Sequence, residues 1–167
     1  MANWVNARLI VVGRRDDVQR FARVARERTS TLFSPDMASG EGDDLHAERM
    51  EALERGFAKK EYRFQIRNDD GRTHFGRVSK GHPELFFVLV YFDPNVPPSG
   101  SFFISRGRAR SHVLPDRLMD AVMAKHGVVD NSDDDSDDDI RYWEASWELM
   151  DLAEAHWKKA LERAIRG

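Results

Sequence analysis

Eight consecutive apolar residues, Leu85-Phe86-Phe87-Val88-Leu89-Val90-Tyr91-Phe92, stand out in a chain whose mean hydropathy is −0.62. The run is far shorter than the ~20 residues a membrane-spanning helix needs. Read as a strand, it is apolar on both alternating faces, so both faces must be covered. Asp93-Pro94 and Pro97-Pro98-Ser99-Gly100 end it with residues that cannot continue a ladder. Residues 5–12 carry a second such run, Leu9-Ile10-Val11-Val12, closed by Gly13. The β-branched run reads as a strand in the middle of its sheet.

Other segments carry one apolar face. Asp16 followed by Gln19 forms a variant capping box, and Val18, Phe21, Ala22 and Ala25 then fall at helical spacing, predicting a helix over 16–28. Met50, Leu53 and Phe57 predict a helix over 45–58, and Tyr62 to Arg67 alternates as a half-buried strand. Residues 72–81 fit either a hairpin strand or a helical turn. Phe102-Phe103-Ile104 opens a strand over 101–107. Pro115, the stripe Leu118, Met119, Val122, Met123, and Gly127 as C-cap predict a helix over 115–126. Residues 141–148 fit a strand with Trp143, Ala145, Trp147 and Leu149 inward, or a helix joining Trp143 and Trp147 to Trp157. Asp151-x-x-Glu154 resembles a helix start, which favours strand then helix.

In order, these elements read β-α-β-β-α-β, the split-βαβ ferredoxin-like arrangement within an α+β fold: an antiparallel sheet with two helices on one face. A single domain spanning 1–167 is expected, with 30–80 an insertion, 128–139 an acidic loop and 151–166 an added terminal helix. A chain of 167 residues buries about 70% of its unfolded surface, enough for a core without staples. With no cysteine, disulfides, thiolate zinc sites and thiol nucleophiles are excluded. No secretory signal or membrane span is recognisable, so a cytoplasmic location is expected.

The motif Met1-Ala2-Asn3-Trp4-x-Asn6-x-x-Leu9-x-Val11-x-Gly13 resembles the opening of the YubB-type ferredoxin-like proteins of phages and plasmids. His82-Pro83-Glu84-Leu85-Phe86 and the aromatics of Tyr142-Trp143-x-x-x-Trp147 are similar to stretches of that family. Position 5 is Val where that family usually carries Cys, and the Trp pair comes later than in the family order. Together these stretches cover about thirty residues of the chain. The resemblance implies the same fold and a bacterial or mobile-element origin, and carries no catalytic motif to transfer.

Charge is segregated. Seven of 29 acids fall within residues 130–139, leaving 22 acids against 26 bases elsewhere. The run places Asp133, Asp135 and Asp137 at alternate positions, as a calcium loop does, but lacks the turn glycine and the twelfth-position Glu. A solvated loop with weak cation attraction is expected. Arg106, Arg108 and Arg110 lie at period 2 and would project from one side of a strand, a row suited to phosphate or carboxylate. Arg14 and Arg15, after the first strand, extend this candidate anion-binding set. The alternative is an edge strand kept soluble by charge. The six histidines show no i,i+4 pair and read as surface or capping residues. Trp143, Trp147 and Trp157 read first as core, with ligand stacking second.

No nucleophile elbow, phosphate loop or HExxH is present, so no catalytic residue and no cofactor is assigned. The expectation is a non-enzymatic binding module for a macromolecular partner, an accessory protein of a bacterium or mobile element. Nucleic-acid or phosphate binding through the arginines is second and an enzyme of unknown class third. Self-association through an open sheet edge remains a further option.

Overall fold

The computed structural model describes residues 4–27, 32–33, 37–38, 46–67, 70–92, 99–128 and 136–167. The first apolar run forms β1, Trp4–Arg14, and leads directly into α1, Arg15–Ala25. Three two-residue strands follow, β2 (Met37–Ala38), β3 (His46–Ala47) and β4 (Glu51–Ala52), then β5, Phe57–Arg67. Next come α2 (Arg72–Gly81), β6 (Phe86–Phe92), β7 (Gly100–Ser105) and β8 (Arg108–Val113). The chain closes with α3 (Asp116–Lys125), α4 (Ser136–Ala155) and α5 (Lys158–Arg166).

All described strands share one antiparallel sheet of order β2-β5-β1-β6-β7-β8, with β3 and β4 also on β5. β1 lies inside the sheet, as its run of β-branched residues predicts. Alternation divides its side chains: Val5, Ala7, Leu9 and Val11 join one core, Ile10 and Val12 the other. β6 divides likewise, Phe87, Leu89 and Tyr91 against Val88, Val90 and Phe92. Val18 and Phe21 of α1 and Phe75 and Val78 of α2 cover the first face. Val122 of α3 and Ala145, Leu149, Met150 and Ala153 of α4 cover the second. Helices on both faces are what two doubly apolar strands demand, because a solvated face would leave Val88 and Val90 in water.

Several expectations are corrected. Residues 141–148 are helical, within α4, and do not pair beside β1; β5 takes that place along the whole of β1, from Trp4 opposite Arg67 to Arg14 opposite Phe57. β6 is the direct antiparallel neighbour of β1, whereas the ferredoxin-like order would place residues 101–107 there. The fold is mixed α+β with one antiparallel sheet whose strand order is not the split-βαβ one, and the helices expected together on one face, α1 and α3, lie on opposite faces. The helical period wins in α4 because its inward stripe is Ala145, Leu149 and Ala153, each fully buried at i, i+4, i+8. The terminal helix expected over 151–166 is divided: α4 runs on through Asp151 and Glu154, and α5 starts after a turn at His156–Trp157.

Of the α-helix expected over 45–58, the described residues 46–58 form none: they hold β3, β4, a single 3-10 turn at Glu54–Gly56 and the start of β5. The segment's apolar residues serve opposite faces of the sheet, Met50 one core and Leu53 and Phe57 the other, as the chain rounds the sheet edge. Arg55 and Gly56 adopt φ of 56° and 74°, left-handed values that a helix cannot continue through. Residues 72–81 settle as helix, and Gly127 caps α3 as expected: φ is 71°, with Gly127 N–H donating to Ala124 O and Val128 N–H to Met123 O, a Schellman closure. The strand expected over 101–107 ends at Ser105. Arg106 and Gly107, at φ of 50° and 77°, form the tight turn into β8.

Candidate functional site

Beyond the buried Phe57, the face of β5 that looks toward α4 reads Lys59, Glu61, Arg63, Gln65, Arg67, all polar. α4 packs over β6 and β7, where the sheet is apolar. Where the polar and apolar regions meet, a cleft of about 250 Å³ opens, floored by Asn6 and Arg8 of β1 and Arg63 and Gln65 of β5. Trp143, Ser146, Trp147 and Met150 of α4 wall its other side.

Each floor residue is fixed by a neighbour. Arg8 is 7% exposed although it sits in a central strand among buried apolar residues. Its Nη1 donates to Asp151 and, at 3.0 Å, to Glu154, while Nε lies 3.4 Å from Glu61 Oε1 without a hydrogen bond of good geometry. Burial works against its charge, but Asp151, Glu61 and Glu154 more than offset this and hold the guanidinium above its ordinary pKa. Asp151 and Glu154 are thus not a helix start; they tie α4 to β1. Glu61 also accepts from Arg63 Nε at 2.8 Å, with Glu48 3.5 Å from the same guanidinium. Gln65 Nε2 donates to Asn6 Oδ1 at 3.0 Å, which leaves Asn6 Nδ2 a donor and Gln65 Oε1 an acceptor at the cleft.

The tryptophans divide differently from expectation. Trp157 is 6% exposed, its indole N–H donating to Ser101 Oγ at 2.8 Å. Trp143 and Trp147 are 42% and 54% exposed, one turn apart on the flank of α4 that walls the cleft, with Ile140 at 60% on the same stripe. Ala145 and Leu149 take the core positions between them, so the expectation of buried indoles fails for these two.

The five candidate arginines are not brought together. Arg108 and Arg110 share a face of β8, the sheet edge, and both are exposed. The Arg110 guanidinium lies 4.9 Å from the Phe103 ring centroid and 5.3 Å from that of Trp157. Arg106 belongs to the preceding turn, where its Nε donates to Pro83 O at 3.3 Å. Arg14 donates to Arg55 O at 2.8 Å and stacks 4.8 Å from Phe57, on a strand three places from β8, about 14 Å away at the usual strand spacing. Arg15 opens α1, exposed.

Asp133 and Asp135 lie outside the described residues, and Asp137 belongs to the first turn of α4, so the end of the expected acidic loop is helix. Among the described residues no three His, Asp or Glu gather as metal ligands, and no helix is long and apolar enough to cross a membrane. His126 sits 2.7 Å from Glu148 and 3.7 Å from Glu144, joining α3 to α4, and His112 stacks on His156 with centroids 3.6 Å apart.

The sequence does not single out Asn6, Arg8, Arg63 or Gln65, and for Trp143 and Trp147 it offers ligand stacking only as the second reading. The available signal was Arg8, a lone cation inside a run of buried residues. Comparison of the chain with protein-family models, with curated proteins and with solved structures gave no match, so the reading of this cleft rests on its geometry alone.

Proposed function

We propose that this protein is a binding module, not an enzyme, and that it engages a macromolecular partner at the cleft between β5 and α4. One observation carries this: Trp143 and Trp147 stay 42% and 54% exposed beside a structured polar floor. A tryptophan buries 150–250 Å² when fully covered, so each has roughly 100 Å² left to bury, about 2.5 kcal/mol at ~25 cal/mol per Å². Binding energy concentrates in such aromatic anchors. The ionisable groups lining the cleft are two arginines, which stay protonated near neutral pH and serve as neither general acid nor general base.

The test is comparative capture from extract of the source organism by the full chain and by a Trp143→Ala/Trp147→Ala variant of matched melting temperature. Proteins or nucleic acids held by the parent and lost from the variant support the reading. An identical set on both removes the cleft as the binding face. A cytoplasmic accessory role in a bacterium or mobile element, implied by the likeness of the opening motif, belongs to the same proposal; unrelated neighbouring genes would remove it.

A second reading has its own support. Arg108 and Arg110 share an exposed face, and Arg110 is braced on two rings, an arrangement suited to a phosphate or carboxylate. Mobility shift of nucleic acid that weakens with salt and with Arg108→Ala/Arg110→Ala would support it; retention in the variant would remove it.

A further inference from the structure

We infer that the cleft takes a nucleobase, stacked on Trp143 and Trp147 and read at its edge by the Asn6–Gln65 amide pair, with its phosphate toward Arg63 and Arg67. This rests on the reading of the cleft as the binding site and adds the ligand's chemistry. Four features favour it. Ligand pockets for drug-sized molecules run from about 300 to 1,000 Å³. At about 250 Å³ this cleft is sized for one ring system with its sugar. Its α4 wall offers indole rings, and every base has a π face to lay on one.

Its floor offers one donor, Asn6 Nδ2, and one acceptor, Gln65 Oε1, tied at 3.0 Å and so held at fixed separation. Base edges present donors and acceptors side by side, and a rigid amide pair meets both at once. Arg63 and Arg67 stand two residues to either side of Gln65 on the same face of β5. Both are exposed; Arg63 is shared with Glu61 and Glu48, whereas Arg67 has no ion-pair partner among the described residues and is the freer cation. The exposed Arg67 thus gives the phosphate its place on the β5 side.

The base could belong to a free nucleotide or to a single strand, and the experiment separates them. Tryptophan fluorescence of the full chain is titrated with adenosine and uridine monophosphates, with ribose 5-phosphate, and with a short oligothymidylate at two salt concentrations. Quenching by the nucleotides but not by ribose 5-phosphate is expected, since stacking needs the ring. Trp147→Ala should weaken binding roughly tenfold, the value of one base–aromatic stack, and Gln65→Ala by about five- to tenfold. An oligonucleotide that binds tighter than the monomer, with affinity falling as salt rises, assigns the site to a single strand. Equal affinities assign it to a free nucleotide.

Ribose 5-phosphate binding as well as the nucleotides would overturn the proposal in favour of a plain anion site. Absence of quenching by any base-bearing probe, or quenching untouched by Trp147→Ala and Gln65→Ala, would overturn it as well. If the titration fails while the comparative capture still depends on the tryptophans, the base assignment alone falls and the cleft remains a binding face.

Discussion

Replacing Arg8 tests how the cleft is built. The side chain is buried in β1 and holds two carboxylates of α4, at Asp151 and Glu154, and one of β5, at Glu61. Charge-assisted hydrogen bonds contribute about 1.5–3 kcal/mol each, and stripping one member from a buried pair costs about 3–5 kcal/mol because the remaining charge is stranded. The stranded groups here differ in exposure. Asp151 is 67% exposed and rehydrates at little cost, whereas Glu154 and Glu61, at 28% and 17%, do so incompletely. Discounting for that solvent access, Arg8→Met should cost about 2–3 kcal/mol, or a melting temperature lower by roughly 5–10 °C for a chain of this size. Urea unfolding at pH 7 measures it. Repeated at a pH low enough to protonate the carboxylates, the gap between parent and variant should narrow, since the pairing is then lost in both. An Arg8→Met protein as stable as the parent, or a gap indifferent to acid, would mean that burial of the guanidinium costs as much as its pairs return.

Trp157→Ala should cost about 3–5 kcal/mol, while Trp143→Ala and Trp147→Ala should each stay within about 1 kcal/mol; denaturant midpoints check all three. Stability should fall on acidification. Burial first, and then the neighbouring His156, depress the His112 pKa, so below its ordinary value of 6.5 the unfolded chain binds a proton that the native state resists. Glu148, lowered by its hydrogen bonds to Lys125 and His126, adds stability above the ordinary 4.5 that is lost as pH drops through its native value. His112→Asn should flatten the loss between neutral pH and about pH 5 in a melting series. Gly107→Ala should cost about 1 kcal/mol or more by the same assay, since φ is 77° and a Cβ would meet the Lys80 side chain at 2.5 Å.

What could be read in advance depended on whether one period dominated a segment. Leu85–Phe92 and Leu9–Val12 are apolar at every position, so a strand covered on both faces was legible, and the helices on both sides of the sheet follow from it. α1 and α3 carry single stripes with clear ends and fall within a few residues of where spacing puts them. β5 was half missed because Lys59, Lys60 and Glu61 look unlike a strand interior. Lys60 is nonetheless 5% exposed, its amine donating to Glu48 O at 2.7 Å, and burial is the first cause of its lowered pKa. α4 misled most, since the eye follows tryptophans inward, whereas small Ala145 and Ala153 let the helix approach β6 and β7 closely and push the indoles outward. The cleft draws on β1, β5 and α4, segments joined only by long-range pairing, and no local spacing announces that meeting.

The account turns on whether Trp143 and Trp147 form a working surface. The most direct measurement is the indole N–H resonances of the full chain in a nitrogen–proton correlation spectrum during titration with uridine monophosphate. The Trp143 and Trp147 signals should shift in proportion to one another and saturate together, while that of Trp157, donating to buried Ser101, stays in place. If the Trp143 and Trp147 signals hold still, or Trp157 moves in their stead, the cleft between β5 and α4 does not bind a base as described.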